Sequence, residues 1–198
     1  MHITPVELIG QHAKLTPLKQ AHLEDLQAAA LDGKLWELFF TFVPNPETTQ
    51  QWLDTALSLQ DKGSVLAFTV IQQSTGKIIG STRYCRIAPE HKRLEIGYTW
   101  YSQSAQRSAI NTECKLLLLT HAFEVLDCNV VELRTDWFNK KSQAAIERLG
   151  AKRDGVLRNH ILSTDGRVRD IVVYSILKSE WMGVKNNLEF LLKRRRER

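Results

Sequence analysis

The sequence predicts one α/β (α+β) domain, a mixed central β-sheet of about seven strands flanked by helices. Three observations carry this reading. The 198 residues, 43% apolar and 25% charged, suffice for one hydrophobic core without metal or disulfide support. Stretches of period-two alternation interleave with stretches of helical spacing, in the order β-α-α-β-β-β-α-β-α-β-β. Finally, Leu94 to Glu124 reads as an alternating strand, a polar loop without proline, and an amphipathic helix opened by Asn111. A strand that turns tightly into a helix N-terminus cradles phosphate, because the first amides lack partners and the helix dipole is positive there.

The elements follow in order. Ala13 to Leu18 is a short strand closed by Pro17, and His22 to Leu31 is a helix with Leu23, Leu26 and Ala30 at helical spacing. Trp36 to Pro46 is irregular and aromatic, carrying Phe39, Phe40 and Phe42. Pro46-Glu47-Thr48-Thr49 opens a helix with Trp52, Ala56 and Leu59 on one face. Leu66 to Gln72 and Lys77 to Arg86 are strands joined by the turn Ser74-Thr75-Gly76. After the strand Arg93 to Tyr101, the helix Thr112 to Leu126 sets Leu118, Leu119, Ala122, Phe123 and Leu126 in one stripe. Val130 to Thr135 is a strand, and Asn139 to Leu149 is a helix stopped by Gly150. Ala151 to Ser163 and Arg167 to Leu177 form a hairpin around Thr164-Asp165-Gly166, and a polar helix begins at Ser179. With no repeat or linker, residues 1–198 read as a single domain, with a basic C-terminal tail from about residue 185.

Cys85, Cys114 and Cys128 are odd in number and sit in apolar segments, which predicts buried thiols and a reducing cytoplasm. No Cys/His group has metal-ligand spacing, so no metal is expected. Neither a signal peptide nor an apolar stretch of membrane length is present, and no membrane partner is expected. Much of the net charge of +5 comes from Lys193-Arg194-Arg195-Arg196, a solvated tail in the plainer reading and an RNA or ribosome contact in the sharper one.

Gln106-Arg107-Ser108-Ala109-Ile110-Asn111 resembles the Gln/Arg-x-x-Gly-x-Gly/Ala loop of the GNAT acetyltransferase superfamily, whose amides grip the pyrophosphate of acetyl-CoA. Here Ala109 and Asn111 replace the small glycine-type positions. Downstream, Asn139-x-x-Ser142, Glu147-Arg148-Leu149-Gly150-Ala151, Asp154-Gly155-Val156-Leu157-Arg158 and Asp165-Gly166-Arg167-Val168-Arg169-Asp170, followed by Val173-Tyr174-Ser175, are similar to the ribosomal-protein N-terminal acetyltransferase branch. The resemblance runs from about residue 13 to 181. It implies the GNAT fold, with a splay at a bulge between the fourth and fifth strands that admits the pantetheine arm.

The resemblance also implies roles. Thr99, Trp100 and Tyr101 would line the splay, with a backbone N–H near Trp100 as oxyanion donor. Gln106, Arg107, Ser108, Ala109, Ile110 and Asn111 would hold the pyrophosphate, with Ala109 tolerated if its φ is negative and Asn111 doubling as an N-cap. Glu95, eleven residues before Gln106, matches the fourth-strand general base; an exposed strand carboxylate is the plain alternative. Alternation would put Glu95, Gly97 and Thr99 on one face. Asn139 and Ser142 would contact the pantetheine and sulfur, with Ser142 protonating the thiolate; helix capping is the alternative. Trp36, Phe39, Phe40 and Phe42 fall where the family builds the acceptor wall, while His160 and Tyr174 read as structural.

The implied activity is acetyl-CoA-dependent N-acetyl transfer to a primary amine, on a protein N-terminus or a small molecule, by direct attack on the thioester. The chain lacks a strongly acidic loop suited to a polycationic acceptor. A non-catalytic acyl-CoA-binding module and a ribosome-associated factor with the same fold are the alternatives, and a homodimer, common in the family, is left open.

Overall fold

The structure, a computed structural model, describes residues 1, 3–163 and 165–196. The strands are β1 (Leu8–Ile9), β2 (Ala13–Pro17), β3 (Leu66–Gln72), β4 (Ile78–Ala88), β5 (Arg93–Tyr101), β6 (Val130–Asp136), β7 (Lys152–Leu162) and β8 (Val168–Leu177). The helices are α1 (Leu23–Leu31), α2 (Thr49–Asp61), α3 (Ile110–Thr120), α4 (Lys140–Arg148) and α5 (Trp181–Arg196). One sheet takes all eight strands, in the order β1-β2-β3-β4-β5-β6-β8-β7. The strand beyond the seven expected is β1, two residues long, too short to leave a period in the sequence.

Every neighbouring pair is antiparallel except β5 and β6. These two run parallel through Arg93↔Val130, Leu94↔Val131 and Glu95↔Glu132, then part, although β5 continues to Tyr101 and β6 to Asp136. The expected splay is therefore present, between the fifth and sixth strands once β1 is counted. A bulge accompanies it. Arg83 pairs with Gly97 and Ser81 with Trp100, so Tyr98 and Thr99 together oppose Thr82. Tyr98 absorbs the extra residue in left-handed geometry, at φ +52°.

The core lies on both faces of the sheet. A larger apolar cluster joins α3, α4 and α5 to the strands through residues such as Phe68, Tyr84, Ile96, Leu118, Ile146, Tyr174 and Leu188. A smaller one packs Leu26, Ala30, Leu53 and Ala56 of α1 and α2 against Ala67 and Trp100. Tyr84 donates to the Leu118 carbonyl at 2.6 Å, fixing the register of α3 on the sheet. Among the described residues, no helix is long and apolar enough to cross a membrane, and no group of side chains could hold a metal.

The helix after β5 starts at Ile110, so Asn111 lies inside the first turn and Ala109 occupies the N-cap without a side-chain bond. Its end widens into π-type turns over His121–Val125. The segment from residue 179 is not wholly polar: Trp181, Val184, Leu188 and Leu192 are buried, and the helix reaches Arg196. The side chains of Arg195 and Arg196 in the basic run, and Thr164 of the hairpin turn, lie outside the described residues.

One carboxylate ties the N-terminal edge to α3. Glu113 accepts the backbone N–H groups of Gln11 at 2.9 Å, His12 at 2.6 Å and Ala13 at 2.7 Å. It lies so close to Gly10 that a Cβ there would sit 2.5 Å from its carboxyl carbon, which accounts for glycine at that turn.

Candidate active site

Because β5 and β6 are parallel, both C-terminal ends face the same way, and α3 and α4 open just beyond them. The wedge between the strands is thus bounded by two helix N-termini, each the positive end of its helix dipole. Gln106 and Arg107 are exposed, and Ser108, Ala109 and Asn111 are half-buried. Arg107 adopts φ +57°, so the left-handed position of this loop falls two residues before Ala109. Ala109 sits at φ −70°, where a methyl group costs nothing. The Ser108 hydroxyl donates to the Ala105 carbonyl at 2.6 Å and accepts the buried Ile110 N–H at 3.3 Å. Asn111 is helical, so it is not the N-cap that the sequence suggests, and its side chain leaves the first amides to a ligand. The loop fits an anionic ligand despite its departures from the glycine pattern.

On the other bank, Asn139 caps α4 by accepting the Ser142 N–H at 3.0 Å, so the capping reading holds for this pair. Both side chains are half-buried, at the end of the wedge that β6 defines.

The bulge overturns the expected alternation along β5. Thr99 Oγ1 pairs with Thr82 Oγ1 at 2.8 Å and accepts from Lys115 Nζ of α3 at 2.9 Å. Thr99 therefore shares the α3 face with Ile96 rather than the face of Glu95, and Trp100 is turned to the α1/α2 cluster. Lys115 is buried, and desolvation lowers its pKa to about 8.

Glu95 is not the exposed carboxylate of the plain alternative; it is 7% exposed. Its Oε2 has Arg86 Nε at 3.0 Å and Arg134 Nε at 3.4 Å. Its Oε1 leans over Gly97, where a Cβ would meet it at 2.6 Å and the Cys85 sulfur at 3.1 Å. Only glycine leaves room for that carboxylate. Burial raises the Glu95 pKa, against the opposing pull of Arg134 and Arg86. Arg134 also holds Glu132 through Nη2 at 2.8 Å, and Arg93 pairs with the other oxygen of Glu132.

The α1–α2 loop crosses the α1/α2 side of the wedge and is pinned from β8. Arg169, itself paired with Asp136 at 2.7 Å, donates to the Phe40 carbonyl at 3.1 Å, and Arg167 donates to that of Phe39 at 3.1 Å. This gives the Asp-Gly-Arg-Val-Arg-Asp run its purpose: it positions the aromatic wall. Phe42 then stacks under Arg169, 4.2 Å from its ring centre, and touches Tyr98 at 6.3 Å between rings. Phe39 meets Phe138 at 5.9 Å. Phe39, Phe42, Tyr98 and Phe138 are all at least half exposed, an aromatic rim about the wedge. His160 is exposed on β7, and Tyr174 is buried with its hydroxyl on Glu147.

Arg83, Lys115, Arg134 and the Asp136–Arg169 pair escaped the sequence reading. Lys115 shares helical spacing with Leu118, Leu119 and Ala122, and Arg83 interrupts a strand of small and apolar residues. A charge on an otherwise apolar face was the available signal in both cases.

A parallel strand pair forced apart at a bulge, with a helix N-terminus on either bank, is the arrangement that the GNAT resemblance implies. The sequence profile of the acetyltransferase (GNAT) domain matches residues 13–152, and the chain belongs to that family of N-acetyltransferases. It is 34% identical over 110 residues to a Bacillus subtilis (strain 168) protein named as a ribosomal N-acetyltransferase, YdaF. That match covers 56% of this chain and 59% of the B. subtilis protein, so the chain matches about three fifths of that relative's length. A crystal structure described as an acetyltransferase from T. thermophilus superposes with TM-score 0.85 at 36% identity, covering 97% of this chain and 100% of that one. A GCN5-related N-acetyltransferase from Brucella melitensis gives TM-score 0.85 at 28% identity, over 96% and 86% of the two chains.

Proposed function

We propose that this protein transfers the acetyl group of acetyl-CoA to a primary amine. The observation that carries the reading is the wedge: β5 and β6 part after Glu95 and Glu132, leaving strand edges to pair with an extended pantetheine arm. Acetyl-CoA supplies the activated thioester. The loop of residues 106–111 holds its pyrophosphate, assisted by Arg107, and the backbone of Thr99, Trp100 and Tyr101 lines the arm, with an N–H near Trp100 as donor to the developing oxyanion. Asn139 and Ser142 stand on the α4 bank, where the Ser142 hydroxyl can donate to the departing sulfur.

Glu95 takes the proton of the amine. Its Oε1 points toward the bulge, and burial raises its pKa toward the range useful for a base. The aromatic rim of the α1–α2 loop receives the acceptor, a small molecule or a protein N-terminus; the B. subtilis relative is named as a ribosomal N-acetyltransferase. The buried free thiols Cys85, Cys114 and Cys128 suit a reducing compartment, and we place the protein in the cytoplasm.

Calorimetry with acetyl-CoA, followed by thiol release across a panel of primary amines, tests this. Micromolar binding with amine-dependent release supports it. Failure to bind acetyl-CoA at millimolar concentration sinks it.

A further inference from the structure

On the α1/α2 face of the sheet, Arg83 lies 3% exposed with its guanidinium between two rings, 4.6 Å from the centre of Trp52 and 4.7 Å from that of Tyr98. Its Nε and Nη2 are buried and meet no acceptor, and no carboxylate among the described residues pairs with it. The indole nitrogen of Trp52 is buried in the same condition, as is that of Trp100, whose ring lies 6.1 Å from the Trp52 ring. All four atoms are donors and none is an acceptor. Burying an arginine without a counter-charge costs stability unless something supplies one. Desolvation lowers its pKa to about 10, which still leaves it charged at neutral pH.

We propose that Arg83 anchors a carboxylate of the amine acceptor, so that the substrate carries its acceptor amine and a carboxylate close together. The planar guanidinium fits a carboxylate through paired N–H bonds, and its stacking between rings fixes the fork's direction. Position places this anchor at the transfer site. Arg83 is the register partner of Gly97, over which Glu95 Oε1 leans, and the bulge begins at the next residue. Tyr98, half exposed and touching Phe42, closes the outer side, so the carboxylate enters between the aromatic rim and the bulge. The anchor suits the α-carboxylate of a free amino acid and the side chain of an acidic residue at a peptide's N-terminus equally well. This inference rests on the amine-acetyltransferase reading for its setting, although carboxylate binding can be measured without turnover.

The test uses matched probes: free amino acids against their carboxamides, and hexapeptides beginning with Asp or Glu against those beginning with Asn or Gln. Thiol release and direct binding by calorimetry are measured on wild type and on Arg83→Gln, with acetyl-CoA affinity and melting temperature as checks of folding. Wild type is expected to favour the carboxylated member of one pair class by roughly ten- to a hundredfold in kcat/KM and in affinity. Arg83→Gln should abolish that preference while leaving acetyl-CoA affinity unchanged. Preference for free amino acids identifies a small-molecule acceptor; preference for acidic peptides identifies a protein N-terminus. Wild type that treats the paired probes alike, or binds none of them, overturns the inference, as does a preference that survives Arg83→Gln. Carboxylate binding that depends on Arg83, without thiol release, supports the anchor while refuting acetyl transfer.

Discussion

Glu95 and Glu132 stand opposite each other at the last paired position of β5 and β6, and the Arg134 guanidinium holds both carboxylates. With Arg86 on the far side of Glu95 and Arg93 beyond Glu132, five alternating charges cross the sheet where it opens. Two buried carboxylates side by side would repel, so the apex of the wedge is held by this alternation rather than by strand pairing alone.

Arg134→Met should therefore lower stability by about 3 kcal/mol, the scale for removing one partner of a buried ion pair. Urea unfolding at pH 8 measures the loss. The deficit should shrink as pH falls into the range where Glu95, its pKa raised by burial, takes up a proton.

Glu95→Gln separates base from brace. As a base, its loss lowers kcat/KM by about a hundredfold or more, removes the acidic limb of the pH–rate profile and leaves acetyl-CoA affinity intact. A variant that is less stable yet equally fast would show that the carboxylate only braces Arg86 and Arg134.

Lys115 should make the protein more stable with rising alkalinity over a defined window. Its folded pKa of about 8 lies below the ordinary 10.5, so the unfolded chain holds more protons between those values and stability rises with pH there. Lys115→Met removes the buried charge and should gain up to about 3 kcal/mol at pH 7, the gain fading as pH approaches 10.5. A pH-independent difference in unfolding midpoint would contradict this.

Gly97→Ala puts a methyl group 2.6 Å from Glu95 Oε1 and 3.1 Å from the Cys85 sulfur. Stability should fall by about 1–3 kcal/mol, and acetyl transfer should fall with it, because the carboxylate must swing away. A melting curve and a rate measured on the same preparation check both at once.

The period of each segment made the order of strands and helices legible, and Leu94 to Glu124 announced the helix mouth beside the open edge. Asn139 was legible both as a cap and as a neighbour of the wedge. The facing of β5 was not. Tyr98 is neither glycine nor asparagine, so nothing in the residue itself marked the left-handed bulge that carries Thr99 and Trp100 to opposite sides from those expected. Asn111 was misread as a cap because Ala109 starts the helix with no side-chain signal at all. Arg83 and Arg134 stayed hidden because their meaning lies in partners from other strands, and register is not written in any one segment.

The clasp of Glu113 on residues 11–13 joins two parts of the protein with different duties. The helix turn that the proposed function assigns to the donor's phosphates also moors the turn between β1 and β2. Damage at that edge, such as a protease cut before Ala13, should register as weakened acetyl-CoA affinity while the acceptor rim stays whole. Donor binding is in that sense a gauge of whether the first dozen residues are in place.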